Sequence, residues 1–232
     1  MKRIVVLCLI VASACMAYSQ SFVGFQVGYS QSITRLNLPA VGQQTELTPT
    51  VYNGMKVGVV YDVSLVKGFG VTMGLNYTLG VNTTDWKQKN PAVMYPQNRT
   101  RGVYHQLEIP VDWQYKFEIA KRTWLMLYTG PTLQCGLQFK DKYYVNDGKD
   151  VYFSHESNRF SEEDKGVFAL KPLNVTWGVG AGFQYERYFV RGGYDFGLIN
   201  PYKAQSFTGH DVYTRGRFDQ WQVKLGMYLW EF

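Results

Sequence analysis

Nine charged residues fall where an alternating chain turns them all to one side. They are Lys56 and Asp62; Glu108, Asp112 and Lys116; Glu186, Arg191 and Asp195; and Lys224. Within each group the spacing is even or is broken by a tight turn, and successive side chains of an extended strand point to opposite faces. The chemistry such a set suits is ion pairing in an enclosed space. Charges held there must be paired or watered, or they cost several kcal/mol each.

Candidates for bond chemistry are fewer. The histidines are His105, His155 and His210. Ser154-His155-Glu156 is contiguous, so its members alternate in direction and make no ready triad. His105 takes the apolar side of its segment near one end, where a lipid-active barrel enzyme would hold a base. No serine on a neighbouring segment accompanies it, and an interfacial histidine is the plainer reading. No P-loop, dinucleotide fingerprint or zinc spacing occurs. Asn146-Asp147-Gly148-Lys149-Asp150 lacks the calcium-loop ligand pattern and reads as a hairpin turn. The sequence therefore assigns no catalytic residue, cofactor site or metal site.

The elements that carry the charges are strands. In 172–199, Leu173, Val175, Trp177, Val179, Ala181, Phe183 and Tyr185 alternate with Asn174, Thr176, Gly178, Gly180, Gly182, Gln184 and Glu186. After Glu186-Arg187 the alternation resumes, which makes a tight antiparallel hairpin. The same pattern predicts strands over 22–33, 54–65, 69–82, 103–117 and 123–139, and a last one ending at Phe232. In 123–139 the apolar side holds Leu125, Leu127, Leu133, Cys135, Leu137 and Phe139. Connections run long, short, long, short: about 34–53, 66–68, 83–102, 120–122, 140–171, 186–187 and 200–216. The prediction is one domain of eight antiparallel strands in an up-and-down meander.

Residues 1–20 read as a signal peptide. Lys2-Arg3 precedes the short apolar run 4–14, and small residues follow at 17–19. Residues 21–232 form the barrel domain. Without Lys2 and Arg3, 22 basic residues face 18 acidic ones, an excess of +4. No basic patch interleaved with aromatics stands out, so no nucleic-acid partner is expected. Of three cysteines, Cys8 and Cys15 lie in the signal, leaving Cys135 alone. After Gln20 no apolar run reaches helix-spanning length, so a membrane would have to be crossed by strands.

A soluble barrel with an apolar interior is the alternative. Two features favour the membrane. Glycines crowd the polar side, as at Gly70, Gly74, Gly178, Gly180 and Gly182, where a solvent-exposed strand would only be weakened. Phe22, Phe69, Phe117, Trp124, Tyr185, Tyr188 and Trp230 collect at the ends joined by short turns, as an aromatic girdle would. The fold expected is all-β: an eight-stranded antiparallel up-and-down transmembrane β-barrel in the bacterial outer membrane. The parity of Phe232 disagrees with Val223, Leu225 and Met227; a bulge near 228–230, or a looser terminal insertion signal, would reconcile them.

Tyr104-His105-Gln106-Leu107-Glu108-Ile109-Pro110 resembles the Y-x-x-L-E-I-P strand of the PorT-like outer-membrane β-barrel family of Bacteroidota. Gly178-Val179-Gly180-Ala181-Gly182-Phe183-Gln184-Tyr185-Glu186 and the run 191–198 resemble that family's closing half. The resemblance implies a small outer-membrane barrel and specifies activity poorly. The name-giving member works in protein secretion, but no functional residue here matches it.

The function expected is structural or interactive, without enzyme activity. A small-molecule channel and a lipid-active enzyme are the alternatives. The nine charges are expected to plug the lumen. Outer-membrane lipid is the expected surrounding. A protein or glycan partner is expected at 140–171, where Tyr143, Tyr144, Tyr152, Phe153 and Phe160 stand among charges. Tyr143 to Val145 and Val151 to Phe153 flank the Asn146-to-Lys149 turn, so a β-ribbon is expected there.

Overall fold

The computed structural model describes residues 20–40, 43–66, 68–83, 98–146, 151–160, 169–203, 205–207, 210–212 and 215–232. The expected signal segment before Gln20 and the turn 147–150 lie outside the described residues. The strands are β1 (Gln20–Ala40), β2 (Gln43–Val66), β3 (Phe69–Thr83), β4 (Asn98–Ala120), β5 (Thr123–Asn146), β6 (Val151–Asn158), β7 (Leu173–Tyr185), β8 (Tyr188–Gly197), β9 (Gln205–Phe207), β10 (His210–Val212) and β11 (Arg215–Glu231). Eight of them close a ring in the order β4-β3-β2-β1-β11-β8-β7-β5, with β5 returning to β4. Every neighbouring pair in the ring is antiparallel. Closure gives each of the eight ring strands a neighbour on both sides.

Both ends of the described barrel chain lie at one rim, where Ser21 and Phe232 exchange backbone hydrogen bonds of 3.2 and 2.8 Å. The tight turns lie at that rim too. Arg122 and Glu186 take the left-handed conformation there, at φ 61° and 50°. They are cross-linked by a backbone bond of 2.9 Å and an ion pair of 2.7 Å. Gly68 turns at φ 86°, a conformation that glycine adopts without strain. Short turns face the periplasm in outer-membrane barrels, and the longer connections then face outward.

The two faces are inverted relative to a soluble barrel. Gln26, Ser30, Lys56, Asp62, Thr78, Glu108, Gln134, Arg191 and Asp195 are buried. Met55, Val57, Leu75, Leu127, Leu137, Val190 and Leu225 are exposed, Met55 by 74 %. Only lipid makes such an exterior stable. From Val23 to Ile33 the outward side of β1 spans eleven residues, about ten residue steps. At ~3.3 Å per residue and a tilt of ~40° this is a band about 25 Å tall, the thickness an outer membrane offers.

Bulges correct the sequence parity at two places. In β11 the register passes from Val23–Trp230 to Gly24–Tyr228, so Leu229 is the extra residue. Tyr228 keeps the inward parity of Lys224, and the extra residue lets Trp230 and Phe232 face out. In β5, His105–Gln138 is followed by Gln106–Gly136, so Leu137 is extra. Phe139, expected on the lipid side, consequently faces the lumen and is buried. Two members of the expected girdle are also corrected. Phe22 packs on Tyr228 inside the barrel, ring centroids 5.3 Å apart. Trp124 lines the cavity at the periplasmic end. Both share the inward parity of their strands. Phe69, Phe117, Tyr185, Tyr188 and Trp230 are exposed on the outside.

Strands also run further than the alternation reached. β1 and β2 stay paired out to Ala40–Gln43, through residues read as loop. Polar side chains do not interrupt a ladder of backbone bonds; they only erase the contrast between its faces.

Cys135 tests the assignment of faces. Its backbone partners are the outward-facing Leu107 and Leu173. In folded barrel it should react with a membrane-soluble maleimide and resist a charged one. Rapid labelling by the charged reagent would invert inside and outside.

Candidate functional site

Four inward-facing strands supply the lumen charges: β2, β4, β8 and β11. Their even-numbered or odd-numbered polar residues all turn inward because the barrel's other face is given to lipid. Two clusters form across the interior.

In the cluster nearer the periplasm, the Asp62 carboxylate is the hub. Lys116 Nζ lies 3.0 Å from it and Arg191 Nη2 lies 3.4 Å away. Gln114 donates to it at 2.7 Å and the Tyr228 hydroxyl at 2.5 Å. Arg191 Nη2 also donates to Thr72 at 3.2 Å and to Gln114 at 3.0 Å. Its guanidinium lies 5.3 Å from the Phe189 ring centre and 5.7 Å from that of Tyr128. Val60, Met126, Phe189 and Tyr228 pack around this cluster with Phe22.

In the outer cluster, Lys56 Nζ donates to Glu108 at 2.5 Å, to Gln222 at 2.7 Å and to Gln220 at 3.0 Å. Thr78 holds the other Glu108 oxygen at 3.0 Å. Gln222 passes on to Asp195 at 2.8 Å, and Gln220 to Ser32 at 3.1 Å. Ser32 meets the Tyr104 hydroxyl at 2.7 Å. Asp112 and Lys224 are both buried, and the fields of Lys224 and Arg191 act on Asp112.

Eight of the nine charges from the sequence therefore come together, four cations against four anions. Glu186 does not join them. It sits in the 186–187 turn and pairs with exposed Arg122.

Above the charges lies an aromatic layer: Tyr52, Tyr104, Phe139, Leu170, Tyr202 and Phe218, with Phe160 packed against it. Tyr52 meets Phe139 edge-on at 5.2 Å and Tyr104 at 5.6 Å. A Cβ on Gly80 would lie 1.9 Å from the Tyr104 ring, so only glycine lets that ring cross the lumen. Loop residues Leu170 and Tyr202 reach in as an antiparallel bridge. At the other end a cavity of about 1120 Å³ opens toward the periplasm; Lys116, Trp124 and Gln184 are among its walls.

The segment 140–171 divides in two. β5 and β6 pair from Lys140–Asn158 to Asn146–Val151, while the other edge of β5 stays paired with β4 out to Asn98–Val145, so the expected two-stranded ribbon is an extension of three strands. On this extension Tyr144 and Phe153 stack edge-on at 5.9 Å, and Phe153 is 57 % exposed. Lys140 and Lys142 flank Glu156 at 2.5 and 3.6 Å. The hydrogen bond from Lys140 holds the Glu156 carboxyl below its ordinary value. The side chains of Tyr143, Tyr152 and His155 lie outside the described residues. Phe160 belongs to the aromatic layer instead of the extension, its ring 6.1 Å from Phe139. Arg159 anchors this turn by pairing with Asp141.

His105 faces outward, where its Nδ1 lies 2.5 Å from the Tyr77 hydroxyl. Among the described residues no group of three or more His, Cys, Asp or Glu is arranged to hold a metal.

Residues 18–202 match the family described as outer membrane protein beta-barrel domain. No curated protein matches the sequence. Ail, the attachment invasion locus protein of Yersinia pestis, solved in complex with the heparin analogue sucrose octasulfate, aligns at 10 % identity and a TM-score of 0.42, over 91 % of this chain and 99 % of its own. Neisserial surface protein A aligns at 11 % and 0.40, over 88 % and 97 %. The N-terminal beta-barrel domain of Pseudomonas aeruginosa OprF aligns at 10 % and 0.28, over 86 % and 97 %.

Proposed function

We propose that this chain, which belongs to the outer membrane protein beta-barrel domain family, is a non-enzymatic barrel with a plugged lumen that acts as a structural or interaction protein through its extracellular side. Residues 1–20 serve as its signal peptide and 21–232 as the barrel, and within the family it is of the PorT-like kind.

The observation that carries the reading is the division of labour along the axis. A neutral charge network and an aromatic layer occupy the interior, while the β4, β5 and β6 strands continue past that layer as a three-stranded extension with an exposed Phe153. An eight-stranded barrel is just wide enough for side chains to fill. What remains for recognition is the extension, which joins aromatics to the Lys140, Lys142 and Glu156 charges, a mixture that suits a protein or glycan surface.

Replacing 143–165 with a short Gly/Ser linker tests this. The barrel should still refold and shift on unboiled gels, because every ring strand is kept over its spanning length. In-cell crosslinks to the wild-type partner should disappear. A partner captured equally well by the deletion variant would place the binding surface elsewhere.

A further inference from the structure

We infer that Arg35 and Arg217 form a site for the phosphate of an outer-leaflet lipid headgroup. The two arginines stand directly opposite each other in the β1–β11 register. Like charges in that position repel, so the pairing needs a reason. Asp219 supplies part of it. Its carboxylate is fully buried and lies 2.9 Å from Arg217 Nε and 3.5 Å from Arg35 Nε. The Gly197 N–H also donates to it at 3.0 Å, where the β8–β11 ladder ends. The carboxylate is thus fixed from the backbone and holds both guanidinium groups by their Nε edges.

One anion between two cations leaves a net charge of +1. Among the described residues the Nη nitrogens of both arginines make no hydrogen bond, and the side chains are 44 % and 46 % exposed. Two forks of free N–H donors, already oriented, match the geometry of a phosphate.

Position supplies the ligand. Arg35 is two residues beyond Ile33, the top of the ~25 Å apolar band. The upper part of that band is an amphipathic belt: Trp221 donates to Gln31 at 2.7 Å, and Tyr29 donates to Asn53 at 2.6 Å. Leu198 and Ile199, exposed beside Gly197, offer an apolar border. A cationic pair at the edge of the hydrocarbon, over such a belt, meets lipid phosphates and not the aqueous phase.

The test uses the refolded full chain and native mass spectrometry of its lipid adducts. Diphosphoryl lipid A should be retained at least about tenfold better than dephosphorylated lipid A or phosphatidylethanolamine. R35Q/R217Q should lose that preference while remaining heat-modifiable. If the double variant does not refold, R35Q alone is read, with a loss of about threefold. Equal retention of lipid A by the variant, or of the dephosphorylated lipid by the wild type, would overturn the site. Full displacement by millimolar inorganic phosphate would overturn the lipid assignment in favour of a free anion.

Discussion

Replacing Arg191 with methionine should lower the folding stability of the barrel by about 3–5 kcal/mol, the usual cost of stranding one partner of a buried ion pair. Arg191 is 1 % exposed. Its Nη2 reaches Asp62, Thr72, Gln114 and Tyr228, which come from β2, β3, β4 and β11. One side chain on β8 thereby ties three strands across the barrel to each other and to its neighbour β11. Methionine would keep most of the volume against Phe189 and Tyr128 but offer no donor. Asp62 would retain Lys116, which places the loss at the low end of that range. Urea unfolding in lipid vesicles, followed by tryptophan fluorescence, measures the effect. Arg191→Lys should fall between, since the charge remains and the fork does not. D62N/R191M should be less costly than the sum of the two single changes, because the residues act as one network. A loss under about 1 kcal/mol for R191M would mean that the cluster is solvated like a surface pair.

How much of this was readable from the sequence depends on parity. Strand number, the closed antiparallel order and the inward direction of Lys56, Asp62, Glu108, Arg191 and Lys224 follow from strict alternation, because lipid and lumen demand opposite side chains. Parity fails wherever a residue is inserted. The extra Leu137 turns Phe139 inward, and the extra Leu229 reverses the last residues of β11. No local composition marks the Leu137 bulge; only the partner strand reveals it. Glu186 keeps the right parity on paper but stands past the last ladder pair, Tyr185–Tyr188, so no strand directs it into the lumen. The aromatic layer was missed for another reason. Tyr52, Leu170, Tyr202 and Phe218 lie in segments read as loop or at their edges. Their signal was available: Tyr52 and Tyr104 share the inward parity of Lys56 and Glu108, and an aromatic on a polar face has to be packed against something. The inner Phe189 and Tyr228 carry the same mark at the other end.

The central claim is that the lumen is closed, and its consequence is large: an open pore conducts and a filled one does not. Four cations and four anions leave no net charge to draw ions in, and Lys56, Asp62, Glu108, Lys116, Arg191 and Asp195 are held by partners on other strands. The Tyr52, Tyr104, Phe139 and Phe218 rings cross the lumen above them at centroid separations of 5.2 to 6.2 Å. The periplasmic cavity leads up to Lys116, where the Asp62 cluster begins. Planar-bilayer recording of the purified, refolded wild-type chain in molar salt tests this most directly. Closure predicts a flat baseline, with no recurring step size, under conditions in which a porin control gives regular steps. Stable, uniform conductance steps from the wild-type protein would contradict it and make the chain a channel.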